Sequence, residues 1–269
     1  MQGLAMDDEI MPEEETGVYG GFARVYDLFM DDIPYDEWFR YLQGLFMEYG
    51  INSGVIAELA CGTGEMLRRF SEAGYEMIGL DLSEEMLTVA REKCSEDVFL
   101  LHQDMREFEL YGHVAAMFCI CDGMNYICNR KDLQKVFHQV SLYLEDDGIF
   151  IFDMKTEFFY REVLGSRILA DNRENASYIW ENIYYEEEKL NEYLLTVYEA
   201  VEEGSDLFVR TDEVHRQKAY KIEEVRECLE KEGLSCLKIY EALTKNTPTK
   251  KSERVYFVAQ KAAQERGKV

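Results

Sequence analysis

The chain has 269 residues, of which 47% are hydrophobic and 31% charged, a composition typical of a globular protein with one core and an elaboration. Its formal net charge of −25 argues against DNA and membrane surfaces as partners and disfavours RNA, because lysine and arginine supply most of the affinity for such anions. Seven scattered cysteines without zinc-type spacing predict reduced thiols, no metal site and a cytoplasmic location. The acidic residues 1–16 lack a basic start and an apolar run, which predicts neither secretion nor membrane insertion.

Apolar and aromatic residues recur at helical spacing over residues 18–49 and are interrupted near Ile33-Pro34, which predicts two helices. The period then changes. A short apolar run at residues 55–60 ends in Gly62 and Gly64 and is followed by a helical pattern, as in a strand, glycine turn and helix. Further strands are predicted at residues 77–81, 98–102, 114–120 and 148–153. Helices are predicted between them at residues 84–94 and 133–144.

The pattern differs in residues 156–216, where aromatic, β-branched segments alternate with polar turns and predict an antiparallel meander. Its predicted strands are 178–180, 183–185, 193–198 and 207–210. A helix at 222–232 and strands at 236–240 and 254–259 follow. We therefore predict a doubly wound α/β domain at residues 17–155 and 217–262, with an antiparallel β subdomain inserted at residues 156–216.

The glycine turn is the first candidate binding feature, because ligands of such sheets lie beyond the carboxyl ends of the strands. Gly62 and Gly64 allow the backbone to turn sharply and to approach a ligand closely. A nicotinamide or flavin dinucleotide is disfavoured, because Leu67 stands where a third glycine would lie and Glu65 would place negative charge near a pyrophosphate.

Residues 58–65 resemble the first motif of class I S-adenosylmethionine-dependent methyltransferases, a family with a doubly wound, seven-stranded, Rossmann-like sheet. S-adenosylmethionine has an ammonium and a sulfonium but no phosphate. Glu58 and the backbone carbonyls near Ala60 are therefore its expected partners, together with Gly62 and Gly64. The alternative for Glu58 is a strand-end carboxylate bonded to backbone.

Asp81 ends the second predicted strand, where the resemblance implies that its carboxylate accepts both ribose hydroxyls. The alternative is a helix N-cap, although Ser83 can serve as that cap. Leu82 and Met86 are expected to pack on the adenine, and for Met86 a core position is the alternative. The segment at Asp104 and Met105 resembles the family motif that binds the adenine amino group and ring, with a turn-forming aspartate as the alternative.

The end of the fourth strand provides the candidate catalytic residues. Asp122 and Asn125 lie near the transferring methyl if the family geometry holds, and Asp122 is also an expected cofactor contact. A carboxylate there can place a cationic amine or accept its proton, whereas a turn residue is the alternative. The segment at residues 19–27 resembles the lid helix of small-molecule methyltransferases, in which Tyr19 and Tyr26 would face the sulfonium.

Over nearly the whole chain the sequence resembles bacterial methyltransferases of unassigned substrate, on the pattern Phe22-Ala23-x-Val25-Tyr26-Asp27 and the late segment 253–257. The insertion resembles that of amino-sugar and glycine N-methyltransferases, where it forms a roof over the acceptor pocket. This resemblance implies six acceptor contacts, each of which could instead be an ordinary strand residue. They are Trp180, Tyr185, Arg210, Glu213, His215 and Tyr220.

The sequence therefore predicts an enzyme that transfers the methyl group of S-adenosylmethionine to a small acceptor by in-line displacement, with S-adenosylhomocysteine as product. An amine is the hypothesis for the methylated group. The alternatives are a methyltransferase acting on RNA or protein, and a non-catalytic S-adenosylmethionine-binding regulator or assembly factor. The oligomeric state is left open.

Overall fold

The computed structural model describes residues 22–262 and contains a seven-stranded sheet, flanking helices and a separate four-stranded sheet. Two helices precede the first strand: α1 (Ala23–Phe29) and α2 (Tyr35–Glu48). No helix within this described range is both long and apolar enough to cross a membrane.

The seven-stranded sheet is built from alternating strands and helices, as predicted. Its strands are β1 (Val55–Leu59), β2 (Glu76–Asp81), β3 (Phe99–His102), β4 (Val114–Cys119), β5 (Leu144–Lys155), β10 (Leu234–Glu241) and β11 (Arg254–Lys261). Its helices are α3 (Glu65–Glu72), α4 (Glu84–Lys93), α5 (Arg130–Tyr143) and α6 (Ile222–Lys231). A short 3-10 helix, Gly123–Tyr126, follows β4.

The strand order is β10-β11-β5-β4-β1-β2-β3, and β11 is antiparallel to both of its neighbours. Strands β1 to β5 pair in parallel, and β4 is buried along its whole length because helices cover both faces of the sheet. The order reverses between β1 and β4, which opens a crevice at their carboxyl ends. The predicted doubly wound, seven-stranded sheet is confirmed.

The predicted antiparallel sheet after the fifth strand is also present, and we call it the insertion sheet. Its strands pair in chain order: β6 (Ile168–Asn172), β7 (Ala176–Tyr185), β8 (Leu190–Ala200) and β9 (Phe208–Lys218). The predicted strand limits were wrong in two places. The predicted strands 178–180 and 183–185 form the single strand β7, because Asn182 between them is buried and its side-chain amide bonds to the carbonyl of Arg167. Strand β6 was not predicted, since it has no aromatic residue.

One face of the insertion sheet, which we call its inner face, is turned toward the seven-stranded sheet. Three adjacent rows of its side chains are in register across β7, β8 and β9. The rows are Trp180, Leu195 and Glu213; Asn182, Tyr193 and His215; and Tyr184, Asn191 and Gln217. Apolar clusters join this face to α1 at one end and to a π-helix, Phe159–Leu164, at the other.

Candidate active site

The glycine turn after β1 is held in an unusual backbone conformation. Ala60, Gly62 and Gly64 all have positive φ, at 53°, 52° and 80°. A Cβ atom on Gly64 would come within 3.0 Å of Ala90 Cβ, so the close packing of α4 requires glycine there. A Cβ atom on Gly62 would meet nothing within 4 Å, so the turn leaves open space on that side.

Glu58 lies beneath this turn with only 4% of its surface exposed, and its Oε2 has no hydrogen-bond partner within residues 22–262. Burial raises the pKa of Glu58, and the charge of Asp81 raises it further, against a smaller opposing effect of the Leu67 N–H group. A buried carboxylate oxygen without a donor fits a cationic group of a ligand. The alternative of a carboxylate fully bonded to backbone does not account for Oε2.

Asp81 fastens the glycine turn at the end of β2. Its Oδ2 accepts the N–H of Gly62 at 2.7 Å, and its Oδ1 accepts the N–H of Ser83 at 2.9 Å. Burial raises the pKa of Asp81 despite these bonds. The capping alternative is removed, because the Oγ of Ser83 accepts the N–H of Met86 at 3.1 Å and caps α4 itself. Each carboxylate oxygen of Asp81 can still accept a ribose hydroxyl.

The residues predicted to contact the adenine lie in different surroundings. Leu82 is 61% exposed beside the crevice, whereas Met86 is 2% exposed and occupies the core position that was its alternative. The Oδ1 of Asp104 accepts hydrogen bonds from the Nε–H of Arg106 at 2.9 Å and from the backbone N–H of the same residue at 2.8 Å. These bonds lower the pKa of Asp104 although burial opposes them. Asp104 thus forms the turn, and its contact with adenine, like that of the neighbouring Met105, stays a prediction.

Helix α1 is fastened to the glycine turn by a cluster of charges. The Thr63 hydroxyl donates to Asp27 Oδ1 at 2.7 Å, and Lys93 pairs with Asp27 and, at 3.1 Å, with Glu65. Asp27 was not among the predicted site residues, although it ends the Tyr-Asp pattern that carries the resemblance. Its contacts hold α1 against the glycine turn, and the lid role of α1 stays a prediction.

The same helix reaches two other parts of the site. The Tyr26 hydroxyl lies 3.9 Å from the Cys121 Sγ after β4, and the Phe22 N–H donates to Glu213 Oε1 on β9 at 3.0 Å. Tyr26 therefore lies between the glycine turn and the end of β4, where its predicted cofactor contact would require it. Tyr19 lies outside the described residues.

Asp122, after β4, is buried within a network of donors. Its carboxylate accepts from Arg254 at 2.8 Å, from Lys155 at 3.1 Å and from Gln217 at 2.7 Å, while its own N–H donates to Asp153. Burial alone would raise the pKa of Asp122, but Lys155 and Arg254 outweigh it and lower that pKa. A carboxylate in this state is a weak base, which argues against Asp122 as the proton acceptor. The Asp122 carboxylate instead positions the side chains of Arg254, Lys155 and Gln217.

Asn125 has a structural role rather than the predicted catalytic one. It is 0% exposed, and its side-chain Nδ2 donates to the carbonyls of Lys155 and Lys218 at 3.1 and 2.8 Å. Its Oδ1 accepts the N–H of Lys155 at 2.9 Å. These three bonds join the end of β5 to the end of β9, so the prediction of a catalytic Asn125 was wrong.

A hydrogen-bonded chain on β9 lies above the end of β4. His215, 2% exposed, has its Nε2 2.9 Å from Glu213 Oε2 and its Nδ1 3.2 Å from the Tyr126 hydroxyl. The chain links the insertion sheet to the 3-10 helix that follows β4. Glu213 and His215 were predicted site residues, whereas Tyr126 was not, although it directly follows Asn125 in the chain.

The other predicted acceptor contacts are placed differently. Trp180 lies on the inner face, but Tyr185 and Arg210 alternate onto the outer face and pair there with Glu192 and Asp212. Predicting those two as acceptor contacts was wrong, since side chains alternate between faces along a strand. Tyr220 donates to the Ile127 carbonyl at 2.6 Å and ties the chain after β9 to the loop after β4.

Two cavities in the described part of the chain lie against the seven-stranded sheet. One of about 560 Å³ borders the Asp122 network at Lys155 and Arg254 and is lined further by Trp38 and Phe159. The other, of about 530 Å³, lies at the opposite edge of the sheet near Glu76 and Phe99. Only the first adjoins the candidate active site.

The chain is similar to known methyltransferases in sequence. Residues 56–148 match a family model described as a methyltransferase domain. Over 248 residues the chain is 36% identical to YqeM of Bacillus subtilis, whose name places it among methyltransferases, and the match covers 91% of this chain and 98% of YqeM. It is also 27% identical over 134 residues to a dTDP-3-amino-3,6-dideoxy-alpha-D-glucopyranose N,N-dimethyltransferase of Streptomyces fradiae, covering 49% of this chain and 52% of that enzyme.

A solved structure extends this similarity. The crystal structure of an S-adenosylmethionine-dependent methyltransferase from Clostridium acetobutylicum superimposes with a TM-score of 0.79 at 26% identity. The superposition covers 91% of this chain and 99% of that one, so it includes both sheets.

Proposed function

Because the chain belongs to the S-adenosylmethionine-dependent methyltransferases, we propose that it methylates an amine of a small molecule and that Tyr126, His215 and Glu213 remove the amine proton. The observation behind this proposal is the buried chain from the Tyr126 hydroxyl through His215 to the Glu213 carboxylate. Methylation of an amine needs such a chain, because an alkyl amine is protonated at neutral pH and nucleophilic only after it loses a proton.

S-adenosylmethionine supplies, when bound, a methyl group that is already activated by the neighbouring positive sulfur. The residues present fit this molecule. Glu58 offers an unpaired buried oxygen to a cationic group, Gly62 leaves space for close approach, and Asp81 can accept from a ribose. The exposed side chain of Leu82 can cover an adenine.

The proton route follows from the hydrogen bonds of the histidine. Glu213 accepts from the Nε2–H of His215, which leaves Nδ1 as the basic nitrogen and makes the Tyr126 hydroxyl its donor. An amine proton can then pass to the Tyr126 oxygen while the Tyr126 proton passes to Nδ1. Glu213 is itself positioned by the Phe22 N–H at the start of α1.

Two further observations support a small amine acceptor. The sugar N,N-dimethyltransferase relative acts, by its name, on the amino group of a small molecule. The net charge of −25 opposes binding of an RNA backbone. A cytoplasmic location and a roof formed by the insertion sheet over the acceptor belong to the same proposal.

The test uses purified protein and methyl-labelled S-adenosylmethionine with separate small-molecule, RNA and protein fractions of a bacterial extract. Label should enter an amine in the small-molecule fraction. His215→Asn should lower turnover about 10²- to 10⁴-fold, the usual loss on removal of a general base, without weakening S-adenosylmethionine binding. His138→Asn is the matched control, because His138 also pairs with a glutamate, Glu232, but lies exposed on α5.

Label found only in RNA or protein would overturn the small-molecule assignment. Full turnover of His215→Asn would overturn the proton route. Binding of S-adenosylmethionine without any transfer would favour the non-catalytic alternative.

A further inference from the structure

We propose that the inner face of the insertion sheet, at Asn182, Tyr184 and Asn191, binds the uncharged, hydroxyl- or amide-bearing body of the acceptor. This inference rests on the proposed function and adds the chemical class of the molecule that receives the methyl group. The observation behind it is a group of buried polar atoms that the fold itself does not use.

The clearest case is a comparison of two asparagines that are each 0% exposed, Asn125 and Asn191. The amide of Asn125 makes three hydrogen bonds to backbone. Neither the Nδ2 nor the Oδ1 of Asn191 has a partner among residues 22–262. Burying an amide without hydrogen bonds costs roughly 1–3 kcal/mol, so Asn191 is unfavourable for folding as it stands.

Asn191 is not an isolated case on this face. The Trp180 Nε1, the Asn182 Oδ1 and the Tyr184 hydroxyl are also buried without a partner in the described part of the chain. Trp180, Asn182 and Tyr184 alternate along β7, and Asn191 is opposite Tyr184 on β8. Five of the seven partnerless buried side-chain atoms thus belong to two neighbouring strands. Such a concentration points to a ligand or ordered water rather than to isolated packing faults.

This group is connected to the methyl-transfer site through Gln217. Asn191 is opposite Gln217 in register, and the Gln217 Nε2 donates to Asp122 at 2.7 Å. The Gln217 Oε1 accepts from the hydroxyls of Tyr160 and Tyr193 at 2.9 and 2.7 Å. One side chain, that of Gln217, therefore lies between the partnerless amide of Asn191 and the end of β4. A molecule whose body binds at Asn191 can thus present its amine to His215.

The neighbouring π-helix is a second, independent feature. It packs on the same end of the face, where Tyr160 stacks on Tyr184 with ring centroids 6.2 Å apart and an interplanar angle of 9°. Single π-helical turns are frequent at functional sites, because an extra residue in the turn redirects side chains. Here the turn places an aromatic ring over the partnerless groups.

The chemistry of the face specifies its ligand. The β7 and β8 positions in these three rows of the inner face have no charged side chain; they are Trp180, Asn182, Tyr184, Asn191, Tyr193 and Leu195. Amide, indole and phenol groups supply neutral donors and acceptors, and the rings supply flat apolar surface. A phosphate or carboxylate would find no cation there. Hydroxyl or amide groups would bond to the neutral donors and acceptors, and an aliphatic or ring body would pack on the aromatic rings.

The experiment compares wild-type protein with Asn191→Leu, using the ultrafiltered small-molecule fraction of a bacterial extract and methyl-labelled S-adenosylmethionine. The variant should need at least about tenfold more extract for half-maximal transfer, since the acceptor loses its amide partner. Its melting temperature without extract should equal or exceed that of the wild type, because leucine replaces a buried amide that has no hydrogen bonds with an apolar group of similar shape. Asn125→Leu, the matched control, should instead lower the melting temperature.

The labelled product identifies the class directly. Acetylation followed by mass spectrometry should reveal hydroxyl groups, and fragmentation of the product in the spectrometer should reveal amide groups, on an otherwise uncharged body. A product without such groups, or an Asn191→Leu variant that melts lower and keeps the wild-type half-saturation, would overturn this inference alone. Absence of any labelled product from the wild type would overturn the proposed function and this inference with it.

Discussion

The two sheets of this chain have opposite interiors. The central strands of the seven-stranded sheet bury mostly aliphatic and aromatic side chains, and their buried carboxylates, Glu58 and Asp153, lie near the carboxyl ends of β1 and β5. Three rows of the inner face of the insertion sheet, from Trp180 to Gln217, have polar or aromatic side chains at every position except Leu195. In our proposal the first sheet supplies stability and the turns that bind the cofactor, and the second supplies side chains on a rigid surface that discriminate between acceptors.

The two regions meet where Gln217 of β9 donates to Asp122, which belongs to a buried network with Asp153, Lys155 and Arg254. Two carboxylates and two cations neutralise one another in this network, so the insertion sheet contacts a group without net charge. Removing one member of this network should lower the free energy of unfolding more than any other substitution considered below.

Arg254→Met should have the largest effect on folding. The substitution leaves Asp122 and the fully buried Asp153 without their shared partner, and breaking a buried ion pair typically costs about 3–5 kcal/mol of unfolding free energy. Urea denaturation at neutral pH measures this loss. Arg130→Met, which removes an exposed pair with Glu227, should lower the unfolding free energy far less, because solvent screens such a pair. Equal losses for the two variants would contradict a stabilising role for the network.

Glu58→Gln should raise the free energy of unfolding, and by less than Arg254→Met lowers it. Because the folded-state pKa of Glu58 is raised, the folded chain holds its proton more tightly, and stability falls as pH rises from the unfolded-state pKa of about 4.3 to the folded value. Glutamine does not titrate, so the variant should be more stable than the wild type by about 1–3 kcal/mol at neutral pH without ligand. The difference should shrink below about pH 4, where Glu58 is protonated in both states.

The same variant should bind S-adenosylmethionine more weakly, so it should gain stability and lose affinity for the cofactor. Glu76→Gln, at the exposed start of β2, is the control and should change neither property. A Glu58→Gln variant that is less stable at neutral pH would show that the carboxylate has a structural partner after all.

Local patterns in the sequence were sufficient for the cofactor region. Gly62 and Gly64 follow β1 and Asp81 ends β2, so their positions in one short segment place them at one edge of a parallel sheet. The acceptor region depends on contacts that no local pattern contains. Arg254 meets Asp122 from 132 residues away, and Lys218 meets Asn125 from 93 residues away.

The limits of the insertion sheet were harder to predict for a related reason. Asn182 interrupts the apolar pattern of β7, and only the pairing with β8 and the bond to Arg167 show that the strand continues through it. Tyr185 and Arg210 were placed on the wrong face because the phase of alternation is fixed by the sheet partner rather than by composition.

Titration calorimetry with S-adenosylmethionine on Asp81→Ala and His215→Asn, side by side, tests most directly whether the two sheets divide cofactor and acceptor binding. Asp81→Ala loses the bonds to Gly62 and Ser83 and should bind about 100-fold more weakly, whereas His215→Asn should bind like the wild type. Weakened binding by His215→Asn together with unchanged binding by Asp81→Ala would contradict the division.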